Sequence, residues 1–324
     1  MPRTPQPPPL DGILVVDKPQ GKTSHDVVEA VRRLAGFRAI GHLGTLDPLA
    51  TGVLVLALGR ATRLARFYAG RRKRYTCGIR FGFATDTYDA DGEALGPDLV
   101  PALDREKIER LAAQFAGKIL QTPPSFSAKK IHGRPAHELA RKHKPVELKP
   151  VEVEVYEFRL TEMEGSLARF VVECGAGTYI RSLAHDLGKL EGSGAHLAEI
   201  VRSAVGEFTL DHAVPLAELE LDARAGRLAD RVLRLENLLA ELPRTNVLPI
   251  IEKRVRHGAK FTLPLAQIQP GHITSAQSAP AQLDSGEWKP SRLRVFNQQG
   301  QLIAIAEPVV PRTYQPVVVL EVTP

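Results

Sequence analysis

Asp47 is the lone acid in residues 41–58, GHLGTLDPLATGVLVLAL, where Leu46, Pro48 and Leu49 crowd it and an unbroken apolar run, 53–58, follows. A carboxylate held among apolar side chains can act as a general base or a nucleophile. An Asp-Pro step is also an ordinary way to open a turn before a strand. From these residues alone both readings of Asp47 stand. Pro48 biases the backbone before it away from helix, and Gly44 and Gly52 allow sharp reversals on either side. Tyr75 follows the cations 71–74 and heads the alternation Tyr75, Cys77, Ile79, Phe81, which suits core packing or stacking at a site. Lys18 sits in a turn, where it can contact phosphate or support the neighbouring loop. Cys77 and Cys174 have no zinc-like spacing and lie in strand-like runs, as buried thiols do. The acidic stretch 85–92 has the look of a calcium loop, but aligning Gly92 puts Thr87 at the first ligand position, so it reads as a hairpin turn.

The elements that must position these groups follow from period and punctuation. Residues 12–16 make a short apolar strand. Thr23 and Asp26 form a capping box for a helix with Val27, Val28, Val31 and Leu34 on one face, closed by Gly36. A buried strand over 53–58, a short helix over 62–67, a strand over 72–83 and a helix near 105–115 come next. The polar, basic run after Gln121 interrupts the pattern. Strands over 151–160 and 168–174 lead through Gly175 and Gly177 into a helix with Leu187 and Leu190. Residues 215–242 have helical leucine spacing. From Pro243 the texture turns to short alternating strands, including 293–296 and 302–306 around the loop 297–300.

At 324 residues the chain can bury a large core, either as two domains or as one of roughly 240 residues with an appendage. Its 43 Lys and Arg against 37 Asp and Glu give +6, a modest lean towards a polyanion. The cations cluster: Arg60, Arg63, Arg66, Arg71, Arg72, Lys73, Arg74 and Arg80 occur with no acid between them. Lys129 and Lys130 open a second basic stretch, 129–149, that holds only Glu138 and Glu147 as acids. Two cysteines exclude a disulfide scaffold, and no run approaches the roughly 18 apolar residues of a membrane span. The Pro-rich residues 1–10 are expected to be a disordered tail without a signal-peptide core, in a soluble, cytoplasmic protein.

The wording of these segments closely resembles the tRNA pseudouridine synthase B family, the synthases of pseudouridine 55. His42, the GTLDP of residues 44–48 and the ATGVL of residues 50–54 match its catalytic motif, and Asp17, Lys18, Pro19, Gly21, Thr23 and Ser24 match its D-K-P-x-G-x-T-S segment. Residues 177–183, GTYIRSL, match without a gap, and the segment from Gly194 to Arg202 resembles its G-A-H-L-x-x-L-R-R run. The resemblance implies an α+β pseudouridine synthase fold, a mixed and largely antiparallel sheet flanked by helices over 11–243, with a thumb-like insertion at about 121–150. It implies a PUA-like RNA-binding β-barrel over 244–324. It assigns Asp47 as the essential carboxylate, Arg181 as the ion-pair partner that keeps it ionised by lowering its pKa, and Tyr75 as a stacking residue. His42, Tyr179 and Ile200 would line the pocket, and Lys18, Lys129 and Lys130 would meet RNA. Phe126 and His137 depart from the pattern, standing where tyrosines are usual. The implied activity is isomerisation of a T-loop uridine in tRNA with no cofactor or metal, by a monomer with no obligate protein partner. A tRNA-folding chaperone and an RNA-guided H/ACA-type subunit are the competing readings.

Overall fold

The computed structural model describes residues 10–124, 148–271 and 292–320, together with the backbone of 130–131 and 134–135. Expectations for the tail 1–9, for Phe126, Lys129 and His137, and for the side chain of Lys130 lie outside the described residues.

The apolar run that follows Asp47 does not alternate because both faces of its strand are covered. Strand β3 (Thr51–Leu58) sends Leu54, Leu56 and Leu58 into one core and Val53, Val55 and Ala57 into another. Its antiparallel neighbour β1 (Gly12–Lys18) divides in the same way, Leu14 and Val16 against Ile13 and Val15. Helix α1 (Ser24–Ala35) covers the first core with Val27, Val28 and Val31. Its expected capping box is present, with Thr23 and Asp26 exchanging bonds and Gly36 closing the helix in the left-handed region.

Short β2 (Ile40–His42) pairs with β3, and a 3-10 turn runs into α2 (Ala65–Tyr68). Then come β4 (Lys73–Phe81), α3 (Arg105–Ala113), β5 (Gly117–Gln121) and the two-residue strands β6 (Lys130–Ile131) and β7 (Arg134–Pro135), which pair with each other. The long strands β8 (Val151–Glu164) and β9 (Leu167–Cys174) lead to α4 (Ile180–Glu191) and β10 (Ala195–Val205). β11 (Phe208–Thr209) and β12 (Val214–Pro215) follow, then α5 (Leu216–Arg224) and β13 (Leu233–Arg234).

Among the described residues the main sheet runs β12-β1-β3-β10-β4-β9-β8-β5, with β2, β11 and β13 paired beside it. It is mixed and largely antiparallel, as expected; β1 with β12 and β3 with β10 are the parallel pairs. That β3–β10 seam sets the Asp47 loop beside the strand that carries Ile200 and Arg202. Gly52 permits it: its φ is +93°, and a Cβ there would lie 2.4 Å from the Arg202 carbonyl.

Residues 215–242 depart from the all-helical expectation. After α5, Gly226 turns at φ +71°, and Asp222 draws Arg227 and Arg231 back on to the helix at 3.0 and 2.7 Å. Of the remaining leucines, Leu228 and Leu235 are buried from 3-10 turns and Leu238 and Leu239 from the turn that follows, while Leu233 on β13 and Leu242 are half-buried.

A second sheet, β14-β16-β17-β18-β15, comprises β14 (Arg244–Asn246), β15 (Phe261–Thr262), β16 (Leu293–Phe296), β17 (Leu302–Val310) and β18 (Thr313–Val319), with α6 (Pro249–Arg256) beside it. The expected β16–β17 hairpin is present, its loop held by the Asn297 side chain accepting from the Gln299 and Gln301 amides. Phe296, Leu302, Ile305, Val318 and Leu320 pack into the core formed by Val53, Val55, Leu64 and Tyr68, so the two sheets share buried surface.

Candidate active site

Asp47 hangs from the β2–β3 loop, and side chains from α1 and β10 and a backbone amide fix that loop. Ser24, at the start of α1, donates from Oγ to the Leu46 carbonyl at 2.9 Å and accepts from the Leu46 amide at 2.8 Å. Arg202 is 2 % exposed, and its guanidinium spans the carbonyls of Val53, Thr45 and Gly44 at 2.8, 3.1 and 3.0 Å. The Gly21 amide donates to the Pro48 carbonyl at 2.8 Å. A loop tied at residues 44, 45, 46 and 48 holds the intervening Asp47 in one orientation.

Arg181, in the first turn of α4, reaches Asp47 Oδ2 with Nε at 3.0 Å. The same guanidinium meets Asp89 Oδ2 at 3.2 Å and donates to the Thr87 carbonyl at 3.1 Å from Nη1. Asp89 lies in the acidic stretch that reads as a plain hairpin turn, and its role is the largest feature missed in the sequence. The turn is present, but Thr87 Oγ1 at 2.6 Å and the Asp91 amide at 3.2 Å occupy Asp89 Oδ1, turning Oδ2 towards Arg181. The signal available was an acid flanked by a Thr two residues before it, whose hydroxyl can fix its rotamer.

Two carboxylates thus share one guanidinium, with an electrostatic consequence that corrects an expectation. Crowding by the pocket walls raises the Asp47 pKa above the ordinary carboxylate range and outweighs the lowering by Arg181; the negative Asp89 adds to the rise. Asp47 still keeps 44 % of its side-chain surface open to the cavity, whereas Arg181 and Asp89 keep 7 % each. The acid faces an opening and its partners are packed behind it.

The opening is a cavity of about 580 Å³ whose lining includes Asp47, Arg181, Tyr75, Tyr179, Ile200 and His42. Tyr75 on β4 is buried beneath it, and desolvation raises its phenol pKa, which keeps the hydroxyl protonated. Ile200 supplies an apolar wall from β10. Tyr179 caps α4, and buried Gln121 holds its backbone on both sides, accepting from the amide at 2.8 Å and donating to the carbonyl at 3.0 Å. His42 stands at the exposed end of β2, its imidazole pushed below its ordinary pKa first by desolvation and then by Arg202. Among the described residues no three His, Cys, Asp or Glu side chains converge as metal ligands.

Lys18 is placed differently from the phosphate-contact reading. It is fully buried, and Nζ donates to the carbonyls of Lys22, Pro19 and Pro48 at 2.6, 2.9 and 3.4 Å. Desolvation lowers its pKa to about 8, against the opposing pull of Asp47. Its charge serves the loop from behind. The basic stretch 60–80 is likewise less available than its composition implies. Arg60 pairs with Asp11, Arg71 with Glu207 and Glu241, Arg72 with Glu173, Arg74 with Glu157 and Glu173, and Arg80 with Asp98.

Comparison with known proteins places this geometry. Residues 32–180 match the family model described as TruB family pseudouridylate synthase, N terminal domain. A relative from Solibacter usitatus named tRNA pseudouridine synthase B is 44% identical over 311 residues, covering 96% of this chain and 100% of its own. The chain belongs to the tRNA pseudouridine synthase B family. Another member of the family, from Dehalococcoides mccartyi, is 37% identical over 95% of both chains. The fold is shared more widely: the crystal structure titled as a Cbf5-Nop10-Gar1 complex superposes with a TM-score of 0.70 at 24% identity, covering 96% of this chain and 85% of that one. The family model ends at Ile180 and so does not reach Arg181, Ile200 or Arg202.

Proposed function

We propose that this protein isomerises uridine to pseudouridine at position 55, in the T-loop of tRNA, without a cofactor and with Asp47 as the essential carboxylate. The observation that carries the reading is the Asp47–Arg181 ion pair, 3.0 Å long, facing an open cavity walled by Tyr75, Tyr179 and Ile200 in a member of this family. The isomerisation breaks the C1′–N1 bond, forms a C1′–C5 bond and moves the C5 proton, with no net redox change. Attack by the carboxylate and removal of the sugar 2′ proton both begin from ionised Asp47. Arg181 favours that form and fixes its direction; Tyr75 offers a ring face to the base and a protonated hydroxyl.

A uracil buried in a folded T-loop must be extruded first, which costs a few kcal/mol that stacking and phosphate contacts offset. With the paired arginines of the 60–80 stretch occupied, the thumb-like residues 121–150, including Lys129 and Lys130, become the proposed basic contact. The second sheet is proposed to act as a PUA-like RNA-binding module. The protein is proposed to work as a monomer on the tRNA T-arm.

The test is tritium release from [5-³H]uridine-labelled tRNA transcript by the purified protein, with Asp47→Asn and a T-loop uridine-to-cytidine transcript as controls. Release by wild type alone, only from the intact T-loop, is expected. Asp47→Asn should keep tRNA affinity within about tenfold, because affinity rests mainly on phosphate contacts. Tight binding by wild type with no release would overturn the reading and leave a chaperone or a guide-dependent subunit.

A further inference from the structure

Behind the Asp47–Arg181–Asp89 array lies a contact between two aromatic rings. Tyr88, between Thr87 and Asp89, has φ +67°, a left-handed conformation strained for a bulky side chain. Its ring stacks on His185, with centroids 3.9 Å apart and planes 17° from parallel. His185 stands one helical turn beyond Arg181 on α4, so residues i and i+4 of one helix meet consecutive residues of one turn.

The backbone of that turn delivers both groups that hold Arg181 from behind, the Thr87 carbonyl and the Asp89 carboxylate. The Tyr88 carbonyl accepts from the Leu197 amide at 3.0 Å, and the Ala90 amide donates to the Leu197 carbonyl at 2.9 Å, so the turn is tied to β10 on either side of Asp89. On the α4 side, the ring stack complements the polar contacts from Arg181. His185 Nδ1 is buried and makes no hydrogen bond among the described residues. The imidazole is therefore used for its face, and burial, which pushes His185 below its ordinary pKa, favours the neutral ring.

We infer that His185 and Tyr88 are positioning residues for the isomerisation: their stack keeps the 85–92 turn in its left-handed form, and through Thr87 and Asp89 it sets the Arg181 guanidinium against Asp47. This inference rests on the functional reading above. Without the stack, Tyr88 can relax to negative φ. The peptide units before and after it then rotate, and Arg181 loses its backing while keeping its path to Asp47. The effect belongs to the chemical step, because neither ring lines the cavity.

The experiment is single-turnover tritium release from [5-³H]uridine-labelled tRNA at saturating enzyme, with tRNA affinity from filter binding and thermal midpoints recorded alongside. Wild-type release comes first; its absence sinks the functional reading and leaves this inference without its reaction. Given wild-type activity, His185→Ala should slow the single-turnover rate by about tenfold or more with affinity changed by less than about twofold. His185→Phe and Tyr88→Phe keep a ring face at each position and should stay within about threefold of wild type.

The pH profile separates positioning from general loosening. Asp47 is faced by Arg181 from α4, Asp89 from the turn and Lys18 from β1. His185 is faced by Tyr88 and by Asp186 and Lys189 on its own helix. Loosening Arg181 weakens the influence that lowers the Asp47 pKa, so the acid limb of the His185→Ala profile should move to higher pH. An unmoved limb, a rate within twofold of wild type, or a His185→Phe variant as slow as His185→Ala would each overturn the inference.

Discussion

Asp47 combines an opening to the cavity with crowding that works against its own charge. An aspartate in the unfolded chain ionises near pH 3.9, with the folded value lying higher here because desolvation exceeds the pull of Arg181. The folded state therefore binds the Asp47 proton more tightly than the unfolded state. Its contribution to stability is fully present below the unfolded pKa and is lost as pH rises through the folded pKa. At neutral pH an ionised Asp47 costs stability, a cost that active sites commonly carry. Asp47→Asn removes that charge while Arg181 keeps Asp89 at 3.2 Å. The expected outcome is a thermal midpoint above wild type at neutral pH, with the gap narrowing as the buffer is taken into the acid range. Calorimetry at several pH values measures it, and a neutral-pH midpoint below wild type would show that Arg181 outweighs desolvation after all.

At the scale of elements, the site depends on joints between secondary structures. Ser24 is the joint between α1 and the Asp47 loop; its hydroxyl serves both backbone polar groups of Leu46 from a position 2 % exposed. Ser24→Ala leaves a buried N–H and C=O without those partners, at a cost of about 2 kcal/mol, and frees the peptide beside Asp47. Urea unfolding should show that loss, and tritium release should fall while tRNA affinity holds; an unchanged stability would mean the Leu46 peptide finds other partners. The sequence made such joints only half legible. The capping box, the 53–58 strand and the alternation of β4 were readable because local spacing determines them. Lys18, Ser24 and Arg202 sit in segments that could be singled out, but Arg202 acts on carbonyls set beside it by the β3–β10 seam, and Ser24 and Lys18 reach Leu46 and Pro48 in a loop more than twenty residues away, contacts that no local pattern encodes. Asp89 escaped for a related reason: a Thr- and Asp-rich turn looks the same whether its acid faces water or a guanidinium. The leucines of 215–242 misled in the opposite sense, since helical spacing also suits a chain laid in short turns across an apolar face.

For the whole molecule, the sharpest question is whether the second sheet behaves as a separate module. The break in sequence texture at Pro243 suggests an appendage joined by a linker. The packing argues for joint stability, because β1 and β3 present alternate residues to a core whose other wall is β16, β17 and β18. Arg294, 3 % exposed, stitches the seam from β16 by donating to the carbonyls of Leu242, Ala240 and Leu238 at 3.2, 3.2 and 3.3 Å. Phe296, 1 % exposed, lies in the shared core with the Arg244 guanidinium 4.4 Å from its ring centre. Truncating it to alanine should cost about 3–5 kcal/mol through lost burial and the cavity left behind. If the shared core couples the sheets, that loss lowers the midpoint of one calorimetric transition for the described fold, and the single-turnover rate below the midpoint stays near wild type because Phe296 does not line the Asp47 cavity. If the second sheet were independent, Phe296→Ala would split the thermogram and leave an upper transition at the wild-type midpoint. Coupled unfolding would mean that the stability of the second sheet and the alignment of the β3 strand beneath Asp47 derive from the same buried side chains.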